Sequence, residues 1–260
     1  MLDTAVALQR SEWLVDGIYA GPTAHSTAWN AVVRSARRLE ILPPTTIIGP
    51  CSDNQQSVIG TNERPVLRLS APFFDRASEV EQDFVLGRLC GHIRAQQVSW
   101  ATLYALMADH RGIRSVARRY IGPTLDIVLA PTSLAIRLGL SRWHRAAEIN
   151  ADRAGLVACQ DPEAALQAML RLALGSTPDI TPEQFLAQRV HLGRDQSVSR
   201  WTEVLADRPW LDKRMRALGL FAGSAAWRKL QHAPVNQPAP AELLDDEALA
   251  TAVNALLGVG

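Results

Sequence analysis

Residues 84–93 read FVLGRLCGHI, and this stretch decides which fold the chain is expected to take. Within it Arg88 and His92 stand four residues apart, so on a helix their side chains lie on one face, separated by one turn. Ser78 and Glu81 have the spacing of a capping box, in which a serine and a glutamate three residues later close the first turn. The sequence therefore predicts a helix that begins after Ser78.

A second stretch, residues 143–156, reads WHRAAEINADRAGL and carries polar side chains with the same spacing. Glu148 precedes Asp152 by four residues, and His144 precedes Glu148 by four, so one helix face carries all three. Imidazole nitrogens and carboxylate oxygens are ligands that zinc takes in proteins. We expect this face to lie opposite His92.

The two stretches resemble the HtpX-like family of gluzincin zinc metallopeptidases, and the resemblance covers roughly residues 65–221. The metal helix of that family has the same frame as residues 84–93, with His-Glu in the middle. Its second helix carries a glutamate ligand with an aspartate four residues later, which Glu148 and Asp152 match. The resemblance implies an α+β fold, predominantly α-helical, of the gluzincin (zincin-like) metallopeptidase type with a small β-sheet.

The residues that would perform the chemistry differ from the family in three places. Arg88 replaces the first histidine ligand, and Leu89 replaces the glutamate that activates a metal-bound water. In the run 207–214, DRPWLDKR, Arg208 stands where the family has the histidine that helps to stabilise the transition state. No catalytic residue is therefore assigned, and hydrolysis by the family mechanism is not expected.

The metal site is expected to be degenerate. Catalytic zinc usually has three protein ligands and a water molecule, and only His92 and Glu148 stand at inherited ligand positions. Arg88 is a permanent cation, so it would repel a nearby zinc ion. We expect no bound metal and no other cofactor. The alternative is a rearranged zinc site in which His144 joins His92 and Glu148.

Arg88 is expected to take the place of the ion. Its planar guanidinium pairs well with a carboxylate, and a buried Glu148 without a partner would be costly. We predict a structural pair between Arg88 and Glu148, with Asp152 beside it. The alternative is that Arg88 is merely exposed at the surface.

The composition is that of an ordinary globular protein. The 260 residues are 47% hydrophobic and 20% charged, and the net charge of +1 gives no indication of nucleic-acid binding. We find no signal-peptide pattern and no apolar run long enough to cross a membrane. The three widely spaced cysteines suit a reducing compartment, so a cytoplasmic protein is predicted. Its preference for arginine over lysine indicates a GC-rich, bacterial genome.

Hydrophobic periodicity and turn residues predict the remaining elements. The predicted helices are 3–15, 25–40, 78–108, one from 161 to 174, one from 181, 210–220 and 223–231, and the predicted strands are 45–49, 57–59 and 65–70. Ser141 is expected to cap the helix that carries Glu148. The resemblance makes residues 66–69 a candidate edge strand for an extended peptide, although a plain core role is favoured.

The chain is predicted to end in a tethered helix. Residues 1–232 form the metallopeptidase-like domain, and residues 233–240, APVNQPAP, form a stiff linker. Residues 241–258 form an amphipathic helix, whose predicted partner-binding residues are Leu249, Val253, Leu256 and Leu257. Because a lone short helix is marginal in water, this stripe is expected to pack either on a protein partner or second copy, or on its own domain.

Three functions remain open at this point. The first is a catalytically inactive peptidase homologue that acts as a scaffold, a peptide-binding or a regulatory protein, perhaps alongside an active relative. The second is a zinc endopeptidase with the rearranged site. The third is a soluble structural subunit that docks through its C-terminal helix. Metal content separates the second from the others.

Overall fold

The structure is a computed structural model that describes residues 2–108, 113–122, 134–175, 179–192, 210–231 and 243–257. Its α-helices, numbered in chain order among these residues, are α1 Leu2–Trp13, α2 Ser26–Arg38, α3 Ala71–Arg76, α4 Glu79–Arg94, α5 Val98–Ala108, α6 Ile113–Ile121, α7 Leu134–Cys159, α8 Pro162–Leu174, α9 Pro182–Leu192, α10 Leu211–Ala222, α11 Ala225–Leu230 and α12 Asp246–Leu257. Its strands are β1 Ile18–Tyr19, β2 Thr45–Gly49, β3 Ser57–Gly60 and β4 Pro65–Ser70. The predicted α+β, mainly helical class is confirmed.

The four strands form one small mixed sheet in the order β1-β2-β4-β3. Strands β2 and β4 are parallel, while β1 and β3 run antiparallel to their neighbours at the two edges. Strand β4 is paired on both sides, and its Leu67 and Leu69 are fully buried. The suggestion that residues 66–69 form a peptide-binding edge is therefore wrong, and the favoured core role is correct.

Helices α4 and α7 pack with their backbones unusually close together, because small residues line the contact. A Cβ atom built on Gly87 would lie 2.4 Å from the Cβ of Ala158, and one on Gly91 would lie 2.4 Å from the Cβ of Ala154. Such distances are far inside van der Waals contact, so neither glycine can be replaced without separating the helices. This close approach is what allows side chains of α4 to reach across to α7.

Helix α4 ends earlier than predicted. Ser78 caps its start as expected, by accepting from the Glu81 N–H. The helix stops at Arg94, because Gln96 takes a left-handed conformation with φ 57° and the chain restarts in α5. The Gln97 N–H donates to the carbonyl of His92 across this turn. The break therefore holds the end of α4 where His92 lies.

Two other helices have ends that can be compared with the prediction. Asp161 caps α8 by accepting from the Glu163 and Ala164 N–H groups, and Gly175 ends it in a left-handed conformation, so the helix predicted from 161 to 174 is confirmed. Ser141 does not cap a helix, because α7 already begins at Leu134. Its hydroxyl instead accepts a hydrogen bond from the Arg145 guanidinium one turn later.

The C-terminal helix α12 packs on its own domain. Leu249 and Val253 are buried in the same apolar cluster as Leu218 and Phe221 of α10. The Ala225 N–H donates to the carbonyl of Leu244, which ties the start of this segment to the first residue of α11. Leu249 and Val253 are thus engaged by their own chain, and Leu256 and Leu257 pack at the margin of the same cluster. The predicted linker 233–240 lies outside the described residues.

Candidate functional site: an arginine between two carboxylates

Arg88 lies in the gap between α4 and α7 and bonds both carboxylates of α7. Its Nη2 donates to Glu148 Oε2 at 2.8 Å, and its Nε donates to Asp152 Oδ1 at 2.6 Å. The two carboxylate side chains are only 3% and 2% exposed, so they interact with Arg88 in a medium that screens charge poorly. The structure thus brings together the three residues that the sequence analysis grouped as a structural set.

A second arginine, for which no role was predicted from the sequence, completes the cluster. Arg214, from α10, donates two hydrogen bonds to Asp152. Its Nε lies 2.8 Å from Oδ2, and its Nη2 lies 2.7 Å from Oδ1. Burial disfavours the charged form of Arg214, but the charge and hydrogen bonds of Asp152 outweigh it, so the net effect raises the pKa of Arg214. In the sequence, the only indication of a role for Arg214 was its position within residues 207–214, which match a segment of the family.

Two histidines face the remaining oxygen of Glu148. The Nε2 atoms of His92 and His144 each lie 3.8 Å from Glu148 Oε1, on the side away from Arg88. Gln97 holds His92, with 3.1 Å between Gln97 Oε1 and His92 Nδ1. The ring of Tyr104 lies against that of His144 at 4.6 Å between centroids. The structure therefore places His144 beside the inherited pair His92 and Glu148, as the rearranged-site alternative required.

The residues present do not fit the zinc centre that the resemblance implies. Glu148 Oε2, one of the oxygens that would bind the metal, bonds a guanidinium instead. Leu89 is buried in an apolar cluster with Val98, so no carboxylate stands where the activating glutamate would be. Among the residues that the structure describes, no group of three or more His, Cys, Asp or Glu side chains has the arrangement of a metal site. Arg208 lies outside the described residues.

The cysteines do not supply the missing chemistry. Burial raises the pKa of Cys90, which neighbours Arg88 on α4, to about 12. Burial also raises the pKa of Cys159 to about 12. Because the thiolate is the reactive and metal-binding form, burial disfavours both nucleophilic and metal-binding roles for these two side chains.

A cavity of about 270 Å³ adjoins the cluster. Its described lining includes Arg88, His92, His144, Glu148 and Arg214 on one side. Gln9, Trp13 and Gln56, which come from α1 and from the loop before β3, contribute to the other walls. None of these three residues was predicted from the sequence to lie at the site, since nothing in their local pattern places them near α4.

Comparisons with known proteins agree with this architecture. Residues 65–220 match peptidase family M48. A stretch of 130 residues is 24% identical to the plastoglobule-localized metallopeptidase 48, chloroplastic, of Arabidopsis thaliana, and covers 50% of this chain and 34% of that relative. The match thus spans about a third of the relative's length, and no solved structure matches. In the part of the chain that the structure describes, no helix is long and apolar enough to cross a membrane. Because the family match covers more than half of the chain and includes both helices of the site, this protein belongs to peptidase family M48.

Proposed function

We propose that this protein is a catalytically inactive M48 homologue, HtpX-like in the frame of its site, that acts as a scaffold or regulatory protein. The observation that carries the proposal is the position of Arg88, which bonds Glu148 and Asp152 at 2.8 and 2.6 Å. A guanidinium in that place supplies the positive charge that holds two buried carboxylates together. It offers no open coordination position and activates no water.

Three missing functions support inactivity together. Arg88 stands in place of the first metal ligand, and Leu89 stands in place of the general base. Arg208 stands in place of the histidine that stabilises the transition state. Hydrolysis of a peptide bond by this class of enzyme needs an activated water and a stabilised oxyanion, which these side chains do not provide.

The test is the zinc content of protein purified without chelator, measured by elemental analysis beside a Glu148→Ala variant. We expect substoichiometric zinc in both proteins, with the variant less stable. Stoichiometric zinc that disappears in the variant would overturn the proposal.

A second candidate function, a zinc endopeptidase with a rearranged site, is favoured by one observation. The Nε2 atoms of His92 and His144 both lie 3.8 Å from Glu148 Oε1. If zinc is found, His144→Ala should remove it as effectively as Glu148→Ala, and cleavage of a casein substrate should be lost in parallel.

We place this function in the cytoplasm, with a protein partner or an active relative as the expected contact. Cys51, Cys90 and Cys159 are all free, which is typical of a reducing compartment. A partner that uses the C-terminal helix would have to displace Leu249 and Val253 from the core, so we expect the contact elsewhere on the domain. Pull-down with the purified full chain, followed by mass spectrometry, tests for it.

A further inference from the structure

Arg153 of α7 is a partly buried arginine without a counter-charge. Its Nε is shut off from water and has no hydrogen-bond acceptor. No hydrogen bond or ion pair joins this side chain to any residue within the described ranges. Because arginine stays protonated in proteins, its guanidinium has given up part of its hydration without gaining a partner, which is unfavourable.

Other arginines that pack between helices have a carboxylate partner. Arg34 lies 2.7 Å from Asp83, and Arg214 lies 2.7 Å from Asp152. The hydrogen bond to Asp83 raises the pKa of Arg34, whereas burial lowers the pKa of Arg153 and no carboxylate offsets that effect. Arg153 therefore lacks the anionic partner that these two arginines have.

The packing of Arg153 fixes which part of its guanidinium can meet a ligand. Its Cζ lies 5.3 Å from the centre of the Phe221 ring of α10, which is a cation–π distance. Phe221 is itself buried and packs on Trp227, with 5.9 Å between the ring centroids. Burial without a partner affects the Nε of Arg153 alone, so its two terminal Nη groups reach solvent. The open part of the guanidinium is thus its outer end.

The open end determines the chemistry of the ligand. Two Nη groups in one plane match the two oxygens of a carboxylate, which accept one hydrogen bond from each. One carboxylate also balances the single positive charge of Arg153. A phosphate monoester carries up to two negative charges at neutral pH, so it would leave an excess negative charge at a partly buried position.

This position is separate from the Arg88 cluster, although the two are adjacent in sequence. Asp152 bonds Arg88 and Arg214, and the next residue, Arg153, points about 100° further around α7. Neither Arg153 nor Phe221 lines the cavity beside Arg88. A ligand at Arg153 would therefore not need to enter that cavity.

We propose that Arg153 is a binding site for a carboxylate, which pairs with its two Nη groups while Phe221 supports the guanidinium. The carboxylate belongs to an acidic side chain of a protein partner or to a small carboxylic acid, since both carry the same group. The inference goes beyond the proposed function and holds whether or not the protein binds zinc.

The first test is an NMR titration of the full chain with sodium acetate, beside sodium chloride at the same ionic strength. The reporter is the ¹⁵N–¹H signal of the Arg153 Nε–H group, because burial of this atom slows its exchange with water. EDTA in every sample keeps acetate from binding to a metal. We expect acetate, but not chloride, to shift the signal to saturation. Identical effects of the two salts would overturn the proposal.

Two matched variants test the geometry of the pair. Arg153→Lys keeps the charge but removes the planar fork, and should weaken acetate binding about ten-fold, as read from the backbone amide signals near Phe221. Arg94→Lys is the control, because Arg94 is exposed and lies 3.8 Å from Glu40, and it should leave the acetate affinity unchanged. An equal loss in both variants would mean that acetate responds to general surface charge, and would overturn the proposal.

A stability measurement separates a ligand site from a purely structural role. Arg153→Met keeps an apolar stem over Phe221 and removes the unpaired charge, so we expect it to unfold at the same or a higher urea concentration. Acetate should raise the midpoint of the unsubstituted protein, because it binds the folded state, and should not raise that of the variant. A less stable variant, together with no effect of acetate on the unsubstituted protein, would contradict a carboxylate site.

Further probes identify the source of the carboxylate. Inorganic phosphate that binds more tightly than acetate would assign a phosphate ligand and overturn the carboxylate assignment. A blocked tripeptide with a central glutamate that binds about ten-fold more tightly than acetate would assign the site to a protein partner, because the backbone adds contacts. Equal affinities would assign it to a small carboxylic acid, and either of these two results supports the site.

Discussion

Arg88 of α4 and Glu148 of α7 are joined by a 2.8 Å hydrogen bond in a site where both side chains are largely buried. Residues 60 positions apart in sequence thus form a direct link between α4 and α7. The bond orients Glu148 so that one oxygen meets the arginine and the other faces His92 and His144. This pair and the residues around it lead to four predictions.

Glu148→Ala is expected to lower the free energy of unfolding by about 3 kcal/mol, because it removes a buried carboxylate that accepts a 2.8 Å hydrogen bond from Arg88. Chemical denaturation monitored by circular dichroism measures the change. Glu40→Ala is the matched control, because Glu40 forms an exposed pair with Arg94 at 3.8 Å, and its effect should stay within about 1 kcal/mol. Equal effects of the two substitutions would contradict a stabilising role for the buried pair.

Arg88→His combined with Leu89→Glu is expected to rebuild a zinc site with His92 and Glu148, because it restores the spacing of two histidines and a glutamate on one helix. Elemental analysis should find stoichiometric zinc in the double variant and far less in Leu89→Glu alone. Failure of the double variant to bind zinc in its folded state would show that residues beyond these two have also changed the site.

Gly91→Ala is expected to destabilise the protein by roughly 1–3 kcal/mol, because its Cβ would lie 2.4 Å from the Cβ of Ala154. Gly219→Ala is the control, since a Cβ there meets nothing within 4 Å, and it should stabilise α10 by up to about 1 kcal/mol. Adding Ala154→Gly to Gly91→Ala should recover part of the loss. Thermal and chemical denaturation measure all three, and no recovery would argue against this contact.

Stability is expected to fall as the pH rises from about 9 towards 12. The pKa of Cys90 is raised by burial from 9.0 to about 12 in the folded state, so the unfolded chain releases this proton first and is favoured at high pH. The stabilisation is fully present below pH 9 and is lost at up to about 1.4 kcal/mol per pH unit above it. Cys90→Ala should have a shallower decline when the free energy of unfolding is measured across this range. An unchanged slope would contradict burial of an uncharged thiol at this position.

The C-terminal helix was left undecided by its sequence, for a physical reason. Leu249 and Val253 form an apolar stripe that any complementary surface would cover, and no local feature specifies which surface that is. In the structure they pack against Leu218 and Phe221. Helix α4, in contrast, was predicted to be too long. The residue that ends it in a left-handed conformation is Gln96 rather than a glycine, so the sequence pattern did not indicate the break.

What the sequence by itself determined is local: the capping box at Ser78, the spacing of Arg88 and His92, and the spacing of His144, Glu148 and Asp152 follow from helix geometry alone. Only the tertiary structure decided that Arg214 forms hydrogen bonds with Asp152, and that Gln9 and Trp13 line the cavity beside Arg88. The spacing along a helix is set by covalent geometry within one turn. Which helix faces meet is decided by how elements far apart in the chain bury their apolar surfaces together, and no short stretch of sequence contains that information.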